Sequence, residues 1–126
     1  MKIENLYSID KTDISAGNSY SEEAIFKISL NPESEIFKGH FPGTPVLPGV
    51  CTMEIVKDCT ESLLKREIIF TRIPQCKFTG MVDPNLDRIL EVKITAKNSD
   101  DGSITINAVV FAHDSGRAIL KFKGYV

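Results

Sequence analysis

Between Glu23 and Leu30 apolar side chains alternate, with Ala24, Phe26, Ile28 and Leu30 on one side. This is the period of a half-buried strand, and Asn31-Pro32 ends it as a turn would. Residues 10 to 21, rich in Asp, Ser, Gly and Asn, read as a loop or a weak turn of helix. The period changes after Pro48-Gly49. Over Val50 to Arg66, the residues Val50, Met53, Val56, Leu63 and Leu64 recur at helical spacing. Proline stands at the start and Lys65-Arg66 at the end, where cations suit the helix dipole. From Glu67 onward β-branched and aromatic residues dominate, in runs over Ile68 to Ile73, Gln75 to Met81, Arg88 to Lys97, Ser103 to Ala112 and Arg117 to Tyr125. Asn98 to Gly102 and His113 to Gly116 supply short turns, so the last three runs are expected to be antiparallel neighbours.

The order strand, loop, helix, then four or five strands predicts an α+β chain in which one helix lies against one face of an antiparallel sheet. With 126 residues, 42% of them hydrophobic, and no repeat or long linker, residues 1–126 are expected to form one globular domain. The formal net charge of −2 gathers into no tail, which makes nucleic acid a poor first expectation. Met1 to Asp10 carries charges where a signal peptide needs an apolar core, and no apolar run approaches the length of a membrane span. A cytoplasmic location is therefore expected.

The chemistry gathers in "GHFPGTPVLPGVCTME", residues 39 to 54. Pro42, Pro45 and Pro48 fix φ, while Gly39, Gly43 and Gly49 allow conformations and close approaches that side chains forbid. Such a loop has its shape before any ligand arrives. Running into a helix start, it presents the free backbone N–H groups of Gly49 and Val50 at the positive end of the helix dipole, a place to hold a developing oxyanion. His40 can exchange a proton near neutral pH, and Glu54 is the nearest carboxylate downstream, together an acid/base pair. Glu54 sits in the apolar run Met53, Ile55, Val56, and Asp58 and Glu61 follow it four and seven residues on, forming a ladder of carboxylates on one side of the helix.

The three cysteines, Cys51, Cys59 and Cys76, form no CxxC pair and are odd in number, so buried free thiols are expected, with Cys51 as an alternative nucleophile. No metal or nucleotide cofactor is indicated, because neither a ligand cluster nor a phosphate-binding glycine loop with lysine occurs. His113, in "HDSG", is expected to be structural or exposed.

The 39–54 stretch closely resembles the active-site segment of the 3-hydroxyacyl-acyl-carrier-protein dehydratases, with His, Phe-Pro-Gly, Pro-Gly-Val and Glu at the family's spacing. "NPESEIFKGHFPG" and "IPQCKFTGMVDPN" extend the likeness to both flanks, from about Glu23 to the end. The resemblance implies a hot-dog fold, an antiparallel sheet wrapped around one long central helix. It also implies a homodimer or trimer of dimers, with the His and Glu of each site drawn from opposite subunits. By the same resemblance His40 would remove a proton from C2 of an acyl thioester on acyl carrier protein. Glu54 would protonate the departing C3 hydroxyl, the Gly49 N–H would hold the thioester oxygen, and the product would be a trans-2-enoyl thioester. Glutamate at position 54 resembles the general dehydratase branch. The chain departs from the family at Asp58, where a glutamine is usual, and at Cys51 and Thr52, where larger aliphatics are usual. Asp58, Val50 and Phe41 are candidate substrate-binding residues, and Phe41, Met53 and Phe78 are candidates for an acyl tunnel wall or for plain core. Lys38, Arg72, Lys77 and Arg88 are candidates to meet an acidic carrier protein. The alternatives are a thioesterase of the same fold, in which Glu54 activates water, and a non-catalytic partner subunit that binds the carrier.

Overall fold

The structure, a computed structural model, describes residues 5–15, 20–39 and 43–126. Within them the elements are β1 (Tyr7–Ser15), β2 (Ser21–Leu30), a 3-10 turn at Glu35–Phe37, α1 (Gly49–Leu64), β3 (Arg72–Phe78), β4 (Ile89–Asn98), β5 (Ile104–Ala112) and β6 (Ala118–Tyr125). The strands make one six-stranded sheet in the order β1-β2-β4-β5-β6-β3, every neighbour antiparallel. The chain leaves β2, runs through α1, and takes its next strand at the opposite edge, so the helix crosses the inner face of the sheet and lies against β4 and β5. This is the hot-dog arrangement.

Strand register lines up the inner side chains in rows. Phe26, Val92, Val110 and Leu120 stand opposite one another across β2, β4, β5 and β6, and Ala24, Ile94, Ala108 and Phe122 form the next row. All eight are buried. The helix meets these rows with Cys51, Ile55, Val56, Cys59 and Leu63, all buried. Buried Thr60 satisfies its hydroxyl within the helix, donating to the Val56 carbonyl at 2.8 Å. The opposite face, with Met53, Glu54, Lys57, Asp58 and Glu61, is only half-buried. Among the described residues no helix is long and apolar enough to cross a membrane.

The strands β2, β4, β5 and β6 and the helix fall within a few residues of their expected positions, and four strands follow the helix. Three expectations are corrected. Much of 10–21 is strand rather than loop: β1 pairs with β2 along its length and carries a bulge between Ile9 and Lys11. It is an exposed edge strand held by backbone hydrogen bonds, so its composition need not alternate. The separate strand expected over Ile68 to Ile73 does not form; Ile68 is instead tied to the helix end, its N–H donating to Glu61 Oε2 at 2.9 Å. Lys65 and Arg66 lie beyond the helix, which stops at Leu64 with Lys65 as a left-handed C-cap at φ 57°.

A left-handed cap favours glycine because a Cβ crowds the carbonyl there. Lys65→Gly is therefore expected to stabilise the fold by about 0.5–1 kcal/mol, the relief of αL strain exceeding the added freedom of the unfolded chain. Urea unfolding measures it; an unchanged or lowered midpoint would show that the cap carries no strain.

Candidate active site

His40, Phe41 and Pro42 lie outside the described residues, so the placed part of the loop runs from Gly43 to the helix. Gly43 has φ 80°, a conformation that glycine adopts without strain. Leu47 anchors the loop: its side chain is buried, and its N–H donates to the Val82 carbonyl at 2.9 Å. Pro48, at φ −61° and ψ 143°, is the N-cap of α1. Its extended ψ delivers Gly49 and Val50 as the first helical residues, whose N–H groups have no carbonyl one turn back to meet. No acidic side chain stands in the first turn, so the positive helix end is left for an incoming negative oxygen.

Gly49 also lies in close contact with an aromatic ring. A Cβ built on it would lie 2.9 Å from Cζ of Phe78, whose ring covers the helix start from β3. Beside this contact opens an apolar cavity of about 320 Å³ lined by Leu47, Gly49, Thr52, Phe78, Met81 and Ile119, among others. Its far wall is held by Arg117, which donates to the Met81 carbonyl at 2.9 Å and to Asp87 Oδ2 at 2.7 Å. Neither Leu47 nor Arg117 stood out in the sequence, since both act through main-chain groups far away along the chain.

Glu54 projects from the half-open face of α1 into a second cavity, of about 670 Å³, which Lys57, Asp58, Glu61, Arg66 and Ile68 also line. The expected carboxylate ladder is thus formed on one face. The structure adds a residue that the sequence did not point to: the Tyr7 hydroxyl, arriving from β1, donates to Asp58 Oδ2. Burial, first, and then the Asp58 bond and charge hold the Tyr7 phenol well above its ordinary range, with Cys59 and Glu54 contributing smaller effects.

Phe78 lines the first cavity; Met53, half-buried, touches Cys76, their sulfurs 3.8 Å apart. Val50 is 64% exposed and forms part of neither cavity wall. Lys38 pairs with Glu35 at 2.9 Å, whereas Arg72 and Lys77 lie on β3. His113 is exposed, 3.5 Å from Glu91. Cys51 and Cys59 are buried free thiols as expected, but Cys76 is exposed, because β3 is an edge strand. Burial pushes the thiols of Cys51 and Cys59 upward, reinforced by Glu54 at the first and Asp58 at the second. A thiol so held is a poor nucleophile, which disfavours Cys51 in that role.

Comparison with known proteins gives a consistent picture. The profile of the ApeI dehydratase family matches residues 16–115. A 3-hydroxyacyl-acyl-carrier-protein dehydratase FabZ from Thermus thermophilus is 30% identical over 94 residues, covering 68% of this chain and 66% of its own. One from Koribacter versatilis is 34% identical over 79 residues, 56% of this chain and 49% of its own. The chain thus spans from about half to two thirds of the length of these relatives. Among solved structures, an uncharacterized protein from Erwinia carotovora subsp. atroseptica superposes with a TM-score of 0.73 at 22% identity, over 94% of both chains. A chain of the dehydratase heterocomplex ApeI:P from Xenorhabdus doucetiae gives 0.59 at 22% identity, over 89% of this chain and 91% of that one. These two likenesses establish the shared fold.

The thiol chemistry is directly testable. In the folded protein at about pH 8, Cys51 and Cys59 are expected to resist a thiol-specific disulfide reagent and to react once urea unfolds the chain. Rapid labelling of native Cys51, located by mass spectrometry, would restore it as a candidate nucleophile.

Proposed function

We propose, from the premise that the chain belongs to the ApeI dehydratase family of hot-dog proteins, that it removes water from a 3-hydroxyacyl thioester to give the trans-2-enoyl thioester. The observation that carries this reading is the setting of α1. Its unopposed N-terminus borders an apolar cavity, and Glu54 stands five residues further along the same rigid element, about 7.5 Å up the axis. A thioester oxygen on the Gly49 N–H would draw electron density from the carbonyl and acidify C2. His40, carried over by its motif, takes the C2 proton; the electron pair forms the C2–C3 double bond; Glu54 gives its proton to the departing hydroxyl, which leaves as water. Phe41, Asp58 and, through its backbone N–H, Val50 are the accompanying binding residues. Holding acid and oxyanion donor on one helix fixes their spacing, where small displacements cost large factors in rate.

The carrier is acyl carrier protein in this reading, as in the names of the FabZ relatives. Supporting it, Lys77 stands opposite Lys121, and Lys123 opposite Gln75, on the outer face of the sheet, since Cys76, Phe78, Leu120 and Phe122 of the alternate positions turn inward. Arg72, its guanidinium 4.9 Å from the Tyr125 ring centroid, extends the same basic strip.

A second hot-dog subunit completes the molecule. The two inner rows of the core run on past β6 to Phe78 and Cys76, yet both are exposed, and the outer edge of β3 has no strand beside it among the described residues. Met81, 68% exposed, lines the same cavity as Phe78, and Val50, 64% exposed, directly follows the Gly49 that lies against the Phe78 ring. Such an edge with apolar side chains calls for a covering chain. A second copy is the reading adopted; the Xenorhabdus protein, a heterocomplex by its title, makes an active homologue the alternative occupant. Phe78→Asp is expected to shift a dimer to monomer in sedimentation velocity. A wild type already monomeric at micromolar concentration would favour a heterologous partner.

The function is tested by incubating a 3-hydroxyacyl carrier-protein thioester with wild type, His40→Ala and Glu54→Gln, and following mass and enoyl absorbance. Wild type is expected to yield the dehydrated thioester, and each variant to slow turnover by about 10²–10⁴-fold. Released carrier thiol would mean a thioesterase, and an intact substrate a non-catalytic partner subunit.

A further inference from the structure

The Tyr7 hydroxyl is committed to Asp58 Oδ2, and Asp58 is the residue one helical turn beyond Glu54 on the same face. Tyr7 stands opposite Leu30 in the β1/β2 ladder; Leu30 is buried, so Tyr7 faces inward, toward the helix. The phenol therefore bridges the first strand of the sheet to the open face of α1. Asp58 forms part of the wall of both the cavity that holds Glu54 and a neighbouring one bordered by Ile9, Glu61 and Arg66.

Two carboxylates four residues apart on a half-buried helix face repel when both are charged. In the proposed reaction Glu54 begins as an acid and ends as a carboxylate, so the barrier includes the cost of placing a new negative charge beside Asp58. We infer that Tyr7 is a positioning residue for this reaction: by donating to Asp58 it holds that carboxylate in one orientation and draws off part of its charge, easing the charge that develops on Glu54. The inference rests on the dehydratase reading. The other charged groups around the site are Lys57, Glu61, Arg66 and Glu67, which line the same cavity. None of these lies four residues from Glu54 with a phenol attached to it. The raised Tyr7 phenol fits a donor that keeps its proton throughout.

The test reads Tyr7→Phe in two backgrounds. With Asp58 present, the loss of one hydrogen bond to a charged group is expected to lower kcat about tenfold and leave KM nearly unchanged. With Asp58→Asn in place the charge that Tyr7 acts on is gone, so the same Tyr7→Phe change should alter kcat by less than about twofold. Equal losses in both backgrounds would show Tyr7 to be a packing residue, and no loss with Asp58 present would also overturn the inference. The second measurement needs no turnover: the ¹³C resonance of the Glu54 carboxyl at neutral pH should move on Tyr7→Phe with Asp58 present and stay put in Asp58→Asn. If wild type fails to dehydrate any 3-hydroxyacyl thioester, the dehydratase reading falls; the resonance then decides by itself whether Tyr7 acts on Glu54 through Asp58. A resonance that moves equally in both backgrounds overturns that link.

Discussion

One helix must bury one face and only one. The inner rows of β2, β4, β5 and β6 accept Cys51, Ile55, Val56, Cys59 and Leu63, and burying each large aliphatic side chain there is worth about 1.5–3 kcal/mol. That packing fixes the rotation of α1. A slip of one residue would turn the helix by about 100° and carry Glu54 toward the sheet in place of Ile55. The position of the Glu54 carboxyl is thus set by its neighbours' hydrophobicity. The start of the helix is set by Pro48, whose fixed φ and missing N–H suit the boundary, and Gly49 after it lets the Phe78 ring lie against the helix start without a shift of that ring.

The same constraint explains the state of the sheet's far edge. A sheet that wraps one helix from a single chain runs out of cover at the sides, and on the β3 side the core rows end in Cys76 and Phe78 rather than in polar residues. An edge strand evolved to face water usually carries inward charge or a shielding bulge next to its apolar positions. β3 carries such an irregularity only at its start, where the register shifts between Arg72 and Gln75 around Pro74; beyond it the charge, Lys77, is on the outer face, and the inner face, Cys76 and Phe78, stays apolar. The two faces of β3 therefore differ in character, apolar inside and basic outside.

How much of this was legible in the sequence depends on the range over which each feature acts. β2, β4, β5 and β6 were readable because one face of each is buried and alternation follows directly. The helix and its carboxylate ladder were readable because Glu54, Asp58 and Glu61 share one element. β1 was not, since Ser8 to Ser15 are all exposed and no alternation is imposed on them. The Tyr7–Asp58 bond joins residues 51 positions apart and leaves no local trace. Cys76 was expected to be buried from the habit of its residue type; its place on the edge strand follows from strand order, which composition does not encode.

The two ends of the site are held by unlike means. Around the helix N-terminus the supports end on main-chain carbonyls: the Leu47 N–H on that of Val82, and the Arg117 guanidinium, tied also to Asp87, on that of Met81. Beyond Glu54 the support is a pair of side chains, Tyr7 and Asp58, reaching the helix from a strand with little burial of its own. The Leu47–Val82 bond joins two main-chain groups and tolerates changes of side chain wherever the backbone path is kept, whereas the Arg117 support is lost with its guanidinium. A side-chain pair fails when either partner is replaced, and its members can be exchanged only together. Variation among related chains at the Glu54 end would then come in linked steps at positions 7 and 58, whereas positions 47 and 82 would be free to vary in any way that preserves their burial.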